Sequence, residues 1–222
     1  MNIFIVYCHP EPQSFNRAML QTAYETVVAA GHEVLTSDLY EMCFDPVSDR
    51  RNFTTVKNTD NFNQQVEELY ATQNNGFAQV IEAEINKIEW CDLMIWQFPL
   101  WWFGLPAVLK GWVDRVFVMG RTYGSGQSYE QGIFREKQAL LSVTTGAQAD
   151  SFNQEGKHGD IDGILRPIHR GILRFVGFNV LAPQIVYGPA QLTDEQRKQK
   201  MSEFAKRLQC ISDESPIDVG TY

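Results

Sequence analysis

Three short stretches of this chain carry residue types that could grip a ligand. The first is Cys8-His9-Pro10-Glu11-Pro12-Gln13-Ser14-Phe15-Asn16, directly after the apolar run Ile3–Tyr7. Ser14 is a suitable N-cap, and Met19, Leu20, Ala23, Val27 and Ala30 follow at helical spacing. A helix that starts right after a strand offers free N–H groups and a positive dipole end, a site for phosphate or pyrophosphate. The second is Pro99-Leu100-Trp101-Trp102-Phe103, after the apolar run Leu93–Trp96. Three consecutive aromatics in a turn point in different directions and cannot all face one core, so a large flat partner is expected to cover part of this loop. The third is Thr144-Thr145-Gly146-Ala147, after Ala139–Val143. It offers hydroxyls and backbone N–H groups that a ligand edge can approach closely.

Each stretch alone is a weak signal, since a capped turn is common. Their shared position is stronger. All three follow apolar runs that read as strands buried on both faces, and in a parallel sheet they would open on one edge, where ligands bind. One loop suits phosphates, one a flat ring, and one the polar edge of a ring. A flavin nucleotide needs all three. No Gly-x-Gly-x-x-Gly is present, so a nicotinamide-binding fingerprint is not supported.

The elements that position these loops alternate. Strands are expected at Ile3–Tyr7, Glu33–Leu39, near Leu93–Trp96, at Ala139–Val143 and at Asn179–Tyr187, with Pro183 marking the last as an edge. Helices are expected from Ser14 to Gly31, over Phe77–Ile88, from Pro106 to Val118, and over Gly163–Phe175 with an interruption at Pro167. A final helix opens on the capping box Thr193-Asp194-Glu195-Gln196 and runs to about Ile211, followed by a loose tail. The fold class is therefore α/β, a doubly wound sheet. Residues 40–76 lose periodicity but keep apolar residues, and read as an irregular insertion with short helices in a single domain.

The totals exclude several classes. A formal charge of −8 over 222 residues, without a basic run, argues against nucleic acid. The longest apolar stretch, near Phe98–Leu109, is broken by prolines and too short to span a bilayer. Cys8, Cys43, Cys91 and Cys210 have neither zinc nor Cys-x-x-Cys spacing and are expected to be reduced, buried thiols. Met1-Asn2-Ile3-Phe4 has no basic leader, so a cytoplasmic location is expected.

These residues also carry a resemblance. Ser14-Phe15-Asn16, the run from Gln97 through Trp102-Phe103-Gly104 and Pro106-Ala107 to Leu109-Lys110-Gly111-Trp112, and Leu141-Ser142-Val143-Thr144-Thr145-Gly146 resemble the NAD(P)H:quinone acceptor oxidoreductases. His158-Gly159-Asp160 and the segment Gly171–Phe178 match as well. The resemblance implies a flavodoxin-like three-layer sandwich with a five-stranded parallel sheet in the order 2-1-3-4-5. It further implies tightly bound FAD, with FMN as the alternative, and a homodimer that places NAD(P)H and a quinone in turn on the flavin.

By that resemblance His9, Ser14, Phe15 and Asn16 would hold the pyrophosphate side. Pro99, Leu100, Trp101, Trp102, Phe103, Thr144, Thr145, Gly146 and Ala147 would contact the isoalloxazine. Arg197 and, across the dimer, Asn63 would sit near the adenylate, and Tyr123 and Phe175 of the second subunit would wall the substrate pocket. His158 would be the catalytic histidine; without the resemblance it reads as a surface-loop residue. Phe152 stands where the family usually has a tyrosine, so a Tyr–His proton relay cannot form in its usual way. Arg170 and Arg174 replace the histidines of a metal-binding paralogue, so no structural metal is expected. The chain stops soon after its last helix, without the extra C-terminal domain of longer members. Competing readings are a flavodoxin-like regulatory subunit of a membrane transport system and an FMN-dependent nitro- or azoreductase.

Overall fold

The structure is a computed structural model and describes residues 1–221. Its centre is a parallel sheet. Strands β1 (Asn2–Tyr7), β2 (Glu33–Asp38), β3 (Leu93–Pro99) and β4 (Gln138–Thr145) run in the order β2-β1-β3-β4. The far edge is built from two short pieces, β5 (Asn179–Val180) and β6 (Gln184–Tyr187), both paired with β4. The expected order 2-1-3-4-5 holds, and the expected fifth strand is broken in two around Pro183. A proline has no N–H for the ladder, so pairing stops there and resumes beyond it.

Period-two alternation explains why helices cover both faces. Ile3, Ile5 and Tyr7 turn to one side and pack with Met19, Leu20, Ala23 and Val27 of α1 (Phe15–Ala29) and Phe204 and Leu208 of α6 (Asp194–Leu208). Phe4, Val6 and Cys8 turn to the other side. There they meet Ile81, Ile85 and Ile88 of α3 (Gln79–Trp90), Leu109 and Trp112 of α4 (Ala107–Val116) and Leu165 of α5 (Ile161–Ile168). The continuous apolar runs read from the sequence are this two-sided burial.

Residues 40–76 are held by polar anchors rather than by a core of their own. Arg115 of α4 is 4% exposed and donates to Asn52 Oδ1 at 2.6 Å and to the Asp45 carbonyl at 2.5 Å. Its guanidinium lies 5.2 Å from the Phe44 ring centroid. Gly111 lets the loop touch the helix, since a Cβ there would lie 2.3 Å from Pro46. The segment ends in α2 (Gln64–Asn74), capped by the Asn63 side chain on the Val66 N–H.

Several expectations are corrected. Pro167 does not interrupt its helix: α5 passes through it and continues as a π-helical turn, His169–Arg174. Pro106 caps α4 rather than opening it. Cys43 and Cys210 are exposed, while Cys8 and Cys91 are buried. The segment after Asp213 is not loose over its described residues: Ile217 N–H bonds the Val180 carbonyl at 2.8 Å, and Arg170 donates to the Gly220 carbonyl at 2.7 Å. Ile217 and Val219 pack on the core, a contact that polar composition concealed. Arg174 pairs instead with Glu130 at 3.7 Å.

His169 is 4% exposed, and its Nε2 has no partner among the described residues. Burial pushes its imidazole down to about 4. The unfolded chain takes up that proton near pH 6.5 and the folded chain refuses it, so stability falls as pH drops from about 6.5 towards 4 and this component levels off below. The loss reaches up to about 3 kcal/mol. Denaturant midpoints measured from pH 7 to 4 should show this slope in the wild type and a shallower one in His169→Leu. Equal slopes would refute the assignment.

Candidate functional site

The three strand-end loops converge on one cleft of 790 Å³. His9, Ser14, Phe15, Asn16, Pro99, Leu100, Trp101, Trp102, Thr144, Thr145, Gly146 and Arg197 all line it. The cleft sits at the carboxyl ends of β1, β3 and β4 and continues along α6 to Arg197, Lys198 and Met201.

A buried polar junction fixes the loops to each other. Asn16 is 4% exposed; its amide donates to Thr144 Oγ1 at 2.9 Å and accepts from Gln97 Nε2 at 2.9 Å. One side chain at the start of α1 therefore ties together the ends of β3 and β4. The Leu100 N–H adds a bond to the Thr144 carbonyl at 2.8 Å. Gln97 was not among the sequence-derived site residues. Its signal was available: a lone amide in the otherwise apolar run Leu93–Phe98, fully buried, must find a partner.

At the start of α1, Ser14 Oγ accepts from the Arg17 N–H at 3.1 Å. The N–H groups of Phe15 and Asn16 precede that capped one and have no intrahelical acceptor by geometry. His9 is oriented for the same space. Its Nδ1 accepts from the Glu11 N–H at 3.0 Å, so the neutral ring carries its proton on Nε2, as a donor.

The aromatic loop is strained. Trp102 and Phe103 have φ of 50° and 59°, in the left-handed region, at a cost of roughly 1–3 kcal/mol each. Trp102 is 97% exposed. Strained backbone that displays an indole to solvent is not explained by the core of this chain. A Cβ on Gly146 would meet nothing within 4 Å, so the space beside that backbone is free. Thr145 Oγ1 donates to the Ala147 carbonyl at 2.7 Å and shapes the turn.

His158 stands beside this cleft rather than in its lining. Its ring lies 5.5 Å from Phe103 and 5.1 Å from Phe152 between centroids, and Phe152 lies 5.6 Å from Tyr187. The His158 N–H bonds the Ser151 carbonyl at 2.8 Å, which folds the loop back and turns the ring towards the aromatics. Phe152 is buried and offers no hydroxyl to the imidazole.

The family model described as a flavodoxin-like fold matches residues 1–209. The rat NAD(P)H dehydrogenase [quinone] 1 is 44% identical over 214 residues, which are 96% of this chain and 78% of the rat protein. The human ribosyldihydronicotinamide dehydrogenase [quinone] is 41% identical over 97% of this chain and 94% of its own length. The chain belongs to the NAD(P)H:quinone oxidoreductase family. A Klebsiella pneumoniae protein provisionally described as a quinone reductase has a crystal structure that superposes with a TM-score of 0.91. It is 34% identical and covers 98% of this chain and 87% of that one.

The remaining residues singled out by the family resemblance lie elsewhere. Tyr123 and Phe175 pack together at 5.8 Å and line a second cleft of 440 Å³ with Gln64, Gln65 and Glu68. The two clefts share no lining residue. Asn63 caps α2 next to the second cleft. Lys198, Pro189 and Ala190 line the first cleft and were not foreseen, because nothing local marks a helix side that faces a cleft formed by distant loops.

The junction at Asn16 gives a direct test. Asn16→Ala leaves the buried Gln97 amide without an acceptor and removes a donor from Thr144. It should lower the unfolding free energy by about 1–3 kcal/mol. Urea unfolding measures this, and an unchanged midpoint would contradict the proposed tie.

Proposed function

We propose that the protein is a flavoenzyme that carries hydride from NAD(P)H to quinones or related small acceptors, with FAD as its bound cofactor. The observation that carries the reading is the convergence of a free helix start, a strained exposed aromatic loop and an open glycine turn on one cleft. The residues fit a flavin on this chain's own features. Trp102 is held at positive φ with its ring uncovered, and Gly146 leaves room where a side chain would intrude.

A bound flavin would supply the two-electron hydride chemistry that side chains lack. The chain supplies binding, orientation and electrostatics. Phe15 and Asn16 N–H groups, with the dipole of α1 and the His9 Nε2–H, would hold the pyrophosphate. Pro99, Leu100, Trp101, Trp102 and Phe103 would form the platform for the ring. The loop Thr144–Ala147 would offer backbone donors to its polar edge. Fixed donors placed where negative charge builds up need no reorganisation during the reaction. His158 adds a further donor, or a proton for the acceptor. The extension of the cleft to Arg197 and Lys198 favours FAD over FMN, since a mononucleotide would leave that arm unfilled.

We infer that the active form is a homodimer. Tyr123, Phe175 and Asn63 lie in one chain away from the strand-end cleft, and would complete the acceptor and adenylate sides in a second copy. Phe62, Val66, Leu69, Trp102 and Phe103 expose apolar surface that such a partner would cover.

Acid-released cofactor from the purified protein should be FAD, one per chain, and the yellow protein should reduce a simple benzoquinone with NAD(P)H. Release of FMN would overturn the cofactor assignment, and a flavin-loaded protein with negligible quinone turnover would overturn the activity. Because stacking and backbone donors do not depend on residue 152, Phe152→Tyr should change quinone turnover by less than about tenfold, which is about 1.4 kcal/mol. A thousandfold rise in steady-state rate would show that the missing hydroxyl limits this enzyme.

A further inference from the structure

The second cleft holds a buried acid that the reading above does not use. Glu68, on α2, is 1% exposed. Its Oε1 accepts from Gln64 Nε2 at 2.8 Å, and its Oε2 accepts from the Met119 N–H at 2.7 Å and from the Tyr123 hydroxyl at 3.3 Å. Gln65 Nε2 donates to the same tyrosine oxygen at 3.4 Å. Lys110 and Asp114 of α4 also line the cleft, but they pair with each other at 2.7 Å. Among the described residues no cation comes within 4 Å of Glu68. The π-helical turn and its C-terminal side contribute only Gly171, Ile172, Phe175 and Val176 to the lining.

We propose that Glu68 is a positioning residue for acceptor reduction, setting which way the Tyr123 hydroxyl points and so making quinone reduction depend on pH. The proposal rests on the reading that Tyr123 walls the acceptor pocket. It follows from counting hydrogens. A tyrosine hydroxyl has one proton, and quinone oxygens only accept. When Glu68 is ionised, that proton is drawn to its carboxylate, and the hydroxyl turns a lone pair towards the cleft. When Glu68 is protonated, its own O–H can donate to the tyrosine oxygen, which frees the phenolic proton for a quinone carbonyl. Burial without a cation favours the neutral carboxyl and raises Glu68 above its ordinary range, against the pull of its three donors. The same burial, with the charge of Glu68, raises Tyr123, so the phenol keeps its proton throughout.

The test uses the flavin-loaded enzyme, a simple benzoquinone and saturating NAD(P)H, with kcat/KM measured from pH 5 to 9. The wild type should lose about tenfold in kcat/KM as pH rises through the titration of Glu68. Tyr123→Phe and Glu68→Gln should both lack that limb. Glu68→Gln should change kcat/KM several-fold in the Tyr123 protein and not at all in Tyr123→Phe, because it acts through the hydroxyl. A limb that survives in Glu68→Gln, or equal effects of Glu68→Gln in both backgrounds, overturns the proposal. If Glu68→Gln does not fold, the wild-type and Tyr123→Phe profiles decide: a limb absent from the first or retained in the second overturns it. A Tyr123→Phe enzyme that loses activity but keeps the limb overturns the role of Glu68 alone. One that matches the wild type at every pH overturns the acceptor-pocket reading as well.

Discussion

The site depends on one amide. Asn16 lies at the start of a helix, at the end of one strand, and reaches sideways to two others through Gln97 and Thr144. Strand ends in a parallel sheet diverge with its twist, and the loops beyond them have no ladder bonds to hold their spacing. A buried side chain with a donor and an acceptor on opposite atoms fixes that spacing at two points. Because the junction is out of water, neither partner has an alternative, so the geometry is strongly specified even though each bond adds only about 1 kcal/mol net. The same residue leaves its backbone N–H free at the helix start. The side chain of this residue does the positioning, and its main-chain N–H stays available at the helix start.

A second tier of buried polar contacts sets where residues 40–76 lie. Glu84 is fully buried and takes hydrogen bonds from Ser37 at 2.8 Å, Lys87 at 2.6 Å and Trp112 at 2.8 Å, which joins β2, α3 and α4. Arg115 then carries the connection from α4 to Asn52 and Asp45. Burial lowers the pKa of its guanidinium, and among the described residues no carboxylate is in direct contact with it. A charge held there by neutral acceptors and an aromatic face is worth little as a source of stability. It is effective as a locator, because few other arrangements would satisfy its donors. Through this chain of contacts α2, and with it Glu68, is placed against α4 beside the second cleft.

Much of the architecture was legible because it follows from period. Runs such as Ile3–Tyr7 and Leu93–Trp96 must be buried on two faces, and once strands alternate with helices their loops must share an edge. Ser14 and Thr193 announced their helices because capping is local chemistry. What was hidden depends on distant partners. Glu68 lies in residues 40–76, where the loss of periodicity gave no sign of a buried position; its partners Met119 and Tyr123 are some fifty residues on. Pro167 looked like a break, yet α5 contains it, and the π-turn that follows is a property of backbone register with no composition of its own. The family resemblance named Tyr123 and Phe175 but not the acid on α2 that Tyr123 bonds, since a motif transfers only the positions it contains.

The imidazole of His158 shows how substitution redistributes chemistry. With Phe152 on one side and Phe103 on the other, the ring has aromatic neighbours and no hydroxyl from residue 152 to exchange a proton with. Packing holds it in place, and either ring nitrogen can then serve only a ligand, a water or the backbone. An enzyme that must deliver a proton with each hydride needs a donor that is replenished. A half-buried loop histidine still in reach of solvent can refill from water, so a fixed relay is not a physical requirement. The Glu68–Tyr123 pair offers a different service, orientation rather than supply, because its proton is shared inside a closed contact. Two groups from two clefts would thus divide what a single relay does elsewhere. That division would require the proposed homodimer, in which a second copy would bring the two clefts together.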